Sequence, residues 1–483
     1  VDKASAPLFE ALVRHAGRKP LSFHVPGHKQ RPAWRDPEAE RYYADILRLD
    51  LTELSDTDDL HHPAGAIAEA ERLAADCFGA EETCFLVGGS TSGNLAAILA
   101  LSRPDKPMLV QRNVHKSVVH GLMMADAQAV FLQPETDRES GLATVPSPAT
   151  VQEALRRYPD ACALVLCNPN YYGVSADIAP LIEAAHRAGV PVLVDEAHGA
   201  HFGRHPAFPP SALKAGADIV VQSTHKMLPA LTMGAMLHLQ GALAPRREVR
   251  QWLRMVQSSS PSYPILASLD LARRQLHVQR EQMFEGALAA VRIAKERLAG
   301  LPFGFVEVKR GRLAQDPLKM ALFDREGAIG GFELQSRLEA SGLWAEMADP
   351  RYAVLAFGAG STPEDGEALA EALVRIARER PPAPSAAGGR SPQPPEPAKA
   401  AGSVSEPVAL ARRIERTRSV PIEAAVGHRS AEWVIPYPPG IPLLFPGEPV
   451  SAGAVRQIRR WAEAGSNLQG LSDPEAGRIE IID

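Results

Sequence analysis

The chain of 483 residues carries 52 lysines and arginines against 57 aspartates and glutamates, a formal charge of −5, with 45% hydrophobic and 23% charged residues. That length exceeds one common hydrophobic core and suggests about three domains, while the mild acidity offers no electrostatic footprint for nucleic acid or an anionic membrane. No run of about twenty apolar residues occurs, and the opening VDKASAPLFEALVRHAG lacks the charged-then-apolar order of a signal peptide, so a soluble, cytoplasmic protein is expected, with no membrane or nucleic-acid partner.

Residues 1–60 combine a short helical pattern, LFEALVRHA, with Pro- and Asp-rich loops and run into the acidic stretch DLTELSDTDDLHHP, which predicts an N-terminal arm. Within it FHVPGHKQ sets His24, His28 and Lys29 around a Pro-Gly pair, a grouping that suits a metal, an anion or a plain loop. From 61 to 300 the apolar runs TCFLV, PMLVQ, ALVLC, VPVLVD, DIVVQS and GAMLHLQ alternate with longer helical patterns. Continuous apolar strands between helices predict βα units and a parallel sheet covered on both faces. Residues 301–378 (FGFVEV, LKMALFD, FELQSRLEA, AVLAFG, EDGEALAEALVRIARE) predict a small α+β layer. The Pro-, Ala-, Gly- and Ser-rich stretch 379–407 has too few apolar side chains to order itself and predicts a linker. Order is expected again over 408–483, through LARRIERTRS, WVIPYPPGIPLLFPGE and a last helix in AGAVRQIRRWAEAG. Cys77, Cys84, Cys162 and Cys167 lack Cys-x-x-Cys or zinc spacing and are expected to be reduced core or near-core residues.

In a parallel sheet, ligands gather beyond the carboxyl ends of the strands. After TCFLV comes GGSTSGN, where Gly89, Ser90 and Thr91 suit an anion at a helix N-terminus, or a plain strand-to-helix connection. After PMLVQ, His115 in RNVHKSVVH would stack on a planar ligand or edge a solvated loop. After VPVLV, DEAHGAHF places Asp195 at the strand end and His198 three residues on; a half-buried carboxylate there suits a protonated ring nitrogen, or caps a turn. After DIVVQ, STHKML holds Lys226 between Ser223, Thr224 and His225. A lone lysine normally reaches out to solvent, whereas one in a low-dielectric site becomes a nucleophile for Schiff-base chemistry. An anion cradle, a stacking histidine, an aspartate for a ring nitrogen and a lysine for an aldehyde together describe a site for pyridoxal 5'-phosphate, and that chemistry calls for no metal.

The motifs FHVPGHK, DLTEL, DLHHPAGAIAEAE, GGSTSGN, RNVHKS, NPNYYG, DEAHGAHF, STHK, SSSPSY and PYPPGIPLLFPGE resemble the pyridoxal-phosphate-dependent ornithine/lysine/arginine decarboxylases of prokaryotes, in the type without a receiver-like wing domain. The resemblance implies an α/β fold-type I enzyme, aspartate-aminotransferase-like, with a mostly parallel central sheet, a small α+β domain and a C-terminal domain. It implies that Lys226 carries the cofactor, Asp195 pairs with its ring nitrogen, His115 stacks on the ring and His198 lies beside it. Gly89, Ser90, Thr91, Ser223 and His225 would hold the phosphate. Ser258, where relatives often have threonine, would reach the phosphate of a neighbouring subunit, which implies a homodimer or larger homo-oligomer with shared active sites. Lys226 or His198 would return a proton to the substrate after carbon dioxide leaves. The substrate would be a basic L-amino acid, arginine first, with lysine and ornithine as alternatives. Its distal charge would meet carboxylates among Asp50, Glu53, Asp56, Asp58, Asp59 and Glu448, although such a run also suits a solvated face. His24, His28 and Lys29 would shape the substrate entrance or the dimer seam. An aminotransferase or β-lyase of the same fold would use Lys226 and Asp195 equally. A regulatory paralogue without catalysis would be expected to have lost one of them.

Overall fold

The computed structural model describes residues 2–382, 403–410, 412–414 and 416–483. Most of the stretch expected to be a linker, 383–402, lies outside the described residues. The chain divides into two compact units, one made of Val1–Ala100 with Leu193–Met283 and one made of Leu101–Val192 with Phe284–Asp483.

In the first unit the strands lie in the order Glu82–Leu86, Ala235–Leu239, Ile219–Gln222, Val192–Asp195. Nearly every residue in them is buried, which is why each reads as an unbroken apolar run rather than an alternation. Val192–Asp195 and Ile219–Gln222 are parallel, as the βα pattern predicts. Ala235–Leu239, from GAMLHLQ, instead runs antiparallel to both of its neighbours. The connection into it holds one helix of four residues, Thr224–Met227, in place of the long crossover helix that usually returns the chain for a parallel strand.

The helices Pro7–Gly17, Ala66–Phe78 and Tyr263–Gln279 pack on one another. The N-terminal segment is tied down by a buried pair, Asp270 with Arg273. Asp270 also accepts from the backbone N–H of Leu8, and Arg273 donates to the carbonyls of Lys3 and Ser5. The helix Pro37–Leu49 falls in a stretch that reads as loop. Asp36 caps it by accepting from the N–H groups of Glu38 and Ala39, and Tyr42, Tyr43, Ile46 and Leu47 recur at helical spacing, although only Leu47 is buried.

In the second unit Met108–Gln111 runs parallel to both Ala163–Cys167 and Gln128–Leu132, and Val408–Ala409 closes the edge antiparallel to the latter. Gln128–Leu132 is invisible to periodicity because GLMMADAQAVFL runs a helix end and a strand together in one apolar stretch. A second, antiparallel sheet, Met347–Ala348, Ala353–Ala356, Lys319–Asp324, Phe303–Phe305, forms the expected α+β layer with Glu285–Arg297, Gly331–Ala340 and Pro363–Glu379. The C-terminal segment has its own apolar cluster, including Val420, Ile422, Val434, Ile458 and Ile479, under the helix Ala452–Glu463 and the pair Thr417–Pro421 with Arg478–Ile482.

One ion pair pins this segment to the strand end at Gln111. Arg112 Nε donates to Glu448 Oε1 at 2.8 Å and Nη2 to Oε2 at 2.6 Å, with the side chains 13% and 6% exposed. The same guanidinium donates to the carbonyls of Pro442 and Leu443 and lies 4.9 Å from the Phe445 ring centroid. Both Glu448 oxygens are thus committed to one arginine, which removes Glu448 from the acids available to a substrate. Glu448→Ala leaves a buried guanidinium uncompensated and is expected to lower stability by about 3 kcal/mol, read as a fall in the urea midpoint; an unchanged midpoint would refute this role.

Candidate active site

The candidate site lies at one edge of the first unit's sheet. Glu82–Leu86, Ile219–Gln222 and Val192–Asp195 point the same way, since the first two are each antiparallel to Ala235–Leu239 and the last two are parallel. Their carboxyl ends therefore open onto a common edge, and the GGSTSGN turn, the STHK turn and Asp195 meet there.

Asp195 closes its strand with 2% exposure. Its Oδ2 accepts from Asn94 Nδ2 at 2.9 Å and its Oδ1 from the N–H of Ala197 at 3.1 Å. Burial raises its pKa, opposed by the charge of Lys226 and by these two donors. Lys226 sits on the one-turn helix Thr224–Met227, its Nζ 3.0 Å from His198 Nε2. Ser223 Oγ donates to Ser90 Oγ at 2.8 Å, joining the STHK turn to the start of the helix Gly89–Leu101. Gly89 spends its own N–H on the carbonyl of Met233, and nothing lies within 4 Å of where its Cβ would stand, so it contributes room rather than a donor. Thr91 is exposed on the first turn of that helix. His225 Nδ1 is 2.9 Å from the Gly234 carbonyl, which sets the proton on Nδ1.

The sequence-predicted residues Ser90, Asp195, His198, Ser223, His225 and Lys226 thus come together, with Gly89 and Thr91 at the rim. Ser258 does not join them. It lies exposed, its carbonyl 2.8 Å from His61 Nε2 and its Oγ accepting from the N–H of Ser260. His115 belongs to the second unit, where it caps the helix Lys116–Met124 by accepting from the N–H of Ser117. Its ring faces Gly440 of the YPPG turn. A Cβ on Gly440, whose φ is +82°, would stand 3.0 Å from His115 Nε2, so the turn that reads as mere rigid punctuation is shaped around this histidine.

Beneath Asp195, on the opposite sheet face, runs a buried polar chain that the sequence reading missed. Glu196 accepts from the N–H of Ala212 at 2.7 Å, from Ser211 Oγ at 2.9 Å and from Gln222 Nε2 at 2.7 Å. Gln222 Oε1 is 3.1 Å from His238 Nε2, and His238 Nδ1 is 2.8 Å from Thr83 Oγ1. Burial drives the His238 pKa down to about 3, so the ring is neutral, donating from Nε2 and accepting at Nδ1. Burial drives Glu196 up to about 7 against its three donors. Polar residues inside strands otherwise made of Val, Leu and Ile were the available signal.

The acidic run has mostly local work. Asp58 accepts from the N–H groups of Gly65 and Ile67 and so caps the helix Ala66–Phe78. Burial pulls its pKa upward, but these and neighbouring backbone donors hold it below the usual value. Asp56 pairs with His15 and Arg18, Asp50 with His28, and Asp59 with the N–H of His61. Glu53 takes one hydrogen bond from Thr52 Oγ1 on Oε2 and keeps a buried Oε1 without a partner among the described residues. In FHVPGHKQ, Lys29 donates to the His24 carbonyl while Phe23 is almost fully exposed.

An amine beside an imidazole, a buried carboxylate and a pair of hydroxyls at the carboxyl edge of an α/β sheet are the groups with which an enzyme works on amines through a carbonyl cofactor. The sequence comparisons narrow this class. Residues 6–355 match the Orn/Lys/Arg decarboxylase major domain and residues 402–473 its C-terminal domain, and the chain belongs to this decarboxylase family. It is 41% identical over 472 residues, 96% of each chain, to an uncharacterised protein of Bacillus subtilis. It is 34% identical over 488 residues, 99% of this chain and 97% of the relative, to an arginine decarboxylase of the same organism. The crystal structure of the Francisella novicida lysine decarboxylase has the same fold, with a TM-score of 0.81 at 20% identity over 99% of this chain and 81% of that one.

Because the Glu196 pKa is raised from 4.5 to about 7, the stability its protonated form contributes is fully present below about pH 4.5 and is lost as pH rises through about 7. Glu196→Gln is expected to flatten this component, worth about 3 kcal/mol at most. Melting curves of wild type and variant across that window check it, and parallel pH profiles would show that Glu196 does not titrate there.

Proposed function

We propose that the chain decarboxylates L-arginine to agmatine and carbon dioxide with pyridoxal 5'-phosphate, as a homodimer or larger homo-oligomer in the cytoplasm. The observation that carries this reading is the set Lys226, His198 and Asp195 at one strand edge of a family decarboxylase. The donor set fits the cofactor. A buried carboxylate needs a cationic partner, which a protonated ring nitrogen provides, and the Ser90 and Ser223 hydroxyls at a helix start suit a phosphate. Bound there, the cofactor supplies an aldehyde for the substrate amine and an electron sink for the pair released with carbon dioxide.

The chain's own residues have distinct tasks. Lys226 would hold the cofactor and exchange it for the substrate amine. Asp195 would keep the ring nitrogen protonated. Lys226 or His198, 3.0 Å apart, would store the proton that returns to Cα. Thr91 and His225 would flank the phosphate, Gly89 would leave space for it, His115 would stack on the ring, and Ser258 would serve the neighbouring subunit's phosphate. Glu53, whose buried Oε1 lacks a partner among the described residues, would be the acid of the arm to take a distal cation. Arginine is preferred because relatives named arginine decarboxylase, from Bacillus subtilis, Bacillus anthracis and Bacillus cereus, are 34%, 32% and 33% identical over at least 91% of the chain, against 25% for a lysine decarboxylase of Pseudomonas aeruginosa. No helix among the described residues is long and apolar enough to cross a membrane.

Mass spectrometry of products from L-arginine, L-lysine and L-ornithine, each incubated with cofactor-loaded protein, tests this. Agmatine is expected to dominate; cadaverine or putrescine in its place would reassign the substrate, and a keto acid would make the protein an aminotransferase. Lys226→Ala is expected to abolish both the amine product and the absorbance of lysine-bound cofactor, while His198→Ala lowers kcat about 100-fold; full activity in either variant would remove that residue from the mechanism.

A further inference from the structure

We infer that Asn94 is the positioning residue that keeps Asp195 charged and aimed at the cofactor's ring nitrogen, an inference that rests on the reading of Asp195 proposed above. Asn94 lies in the second turn of the helix Gly89–Leu101, followed by LAAILAL, and is 0% exposed. Asparagine is a poor helix former, and its buried amide is costly unless its hydrogen bonds are made. Here its Nδ2 donates to Asp195 Oδ2 at 2.9 Å.

Its reach is set by the residue before it. A Cβ on Gly93 would stand 2.8 Å from Leu86 Cδ1 and 2.8 Å from Val221 Cγ1, so this helix lies flush against two strands in a way that only glycine allows. Val221 is the register partner of Asp195 in the parallel pair, and paired residues project from the same sheet face. Close approach at Gly93 therefore delivers the next side chain to the carboxylate one strand over.

The chemistry explains why an amide suits the position. Asp195 has one oxygen on the Ala197 N–H and the other on Asn94, so its carboxylate plane is held by two neutral donors. A lysine or arginine at position 94 would neutralise the carboxylate and compete with a ring N–H for it. An aliphatic residue would leave an oxygen bare in a buried site, and protonation of Asp195 would relieve that cost. A neutral donor stabilises the anion while leaving its negative charge for the cofactor.

The test compares binding of pyridoxal 5'-phosphate and of its analogue with C–H replacing the ring nitrogen, by absorbance titration of the apo-protein. Wild type should prefer the natural cofactor, and Asn94→Leu should shrink that preference about tenfold without weakening the analogue. Asn94→Asp keeps the shape. It should approach wild-type preference at low pH, where the introduced carboxyl is protonated and donates, and lose it as pH rises and two carboxylates oppose each other; wild type should not show this change. Circular dichroism and melting of the apo-proteins establish folding, and if Asn94→Leu does not fold, the pH titration of Asn94→Asp decides. If wild type discriminates and the variants discriminate equally at every pH, Asn94 has no positioning role and the reading of Asp195 stands. If wild type itself does not discriminate, the Asp195 reading falls and this inference with it.

Discussion

A carboxylate buried at the end of a strand is the constraint around which the first unit is organised. Asp195 is 2% exposed, and removing such a group from water is costly unless each oxygen is met. The Ala197 N–H and the Asn94 amide meet them. Those donors in turn demand a turn that folds back after the strand and a helix that lies flush on the sheet at Gly93. With the helix placed, Ser90 in its first turn stands against Ser223, and the one-turn helix that follows presents Lys226 to His198. The proposed chemistry thus descends from one packing requirement.

Buried polarity is handled in a second way on the opposite face. The chain Thr83, His238, Gln222, Glu196 crosses the sheet with each polar atom matched to a complementary one. Its depressed imidazole and elevated carboxyl express the same desolvation, each group resisting the charge it would otherwise carry. A network satisfied in this manner favours one arrangement of strands over others of equal apolar content. In the second unit the pair of Arg112 and Glu448 does comparable work, fastening the C-terminal segment beside the strand end that leads to His115.

Much of the architecture was legible in order. TCFLV, PMLVQ, ALVLC, VPVLVD, DIVVQS and GAMLHLQ all became strands, because full burial on both faces leaves continuous apolar runs. Two elements escaped for different reasons. Pro37–Leu49 carries Tyr42, Tyr43, Ile46 and Leu47 at helical spacing but lies between proline- and aspartate-rich segments that read as loop, while Gln128–Leu132 vanishes into a stretch continuous with the preceding helix. Strand direction in GAMLHLQ, antiparallel to both neighbours, is a property of topology that an apolar run does not carry. Of the candidate site, Lys226, Asp195, His198, Ser90 and Ser223 stand at or just beyond strand ends, where the sequence can point to them. It does not point to Asn94, since a residue inside a helix gives no sign of which strand it will touch.

The sequence by itself determined the inventory and its order: which runs are buried, which turns carry polar residues, and that an amine, a carboxylate, hydroxyls and histidines follow strand ends, because burial and turn chemistry are local and leave periodic traces. Tertiary structure alone decided which of these groups meet. The candidate acids show the difference, for Asp58 caps a helix, Asp56 pairs with His15, Glu448 is held by Arg112, and Glu53 keeps an oxygen without a partner among the described residues, although all read alike as carboxylates. Charge is a property of a residue, but availability is a property of its neighbours, and the neighbours that matter here lie as far as 336 positions away in the chain.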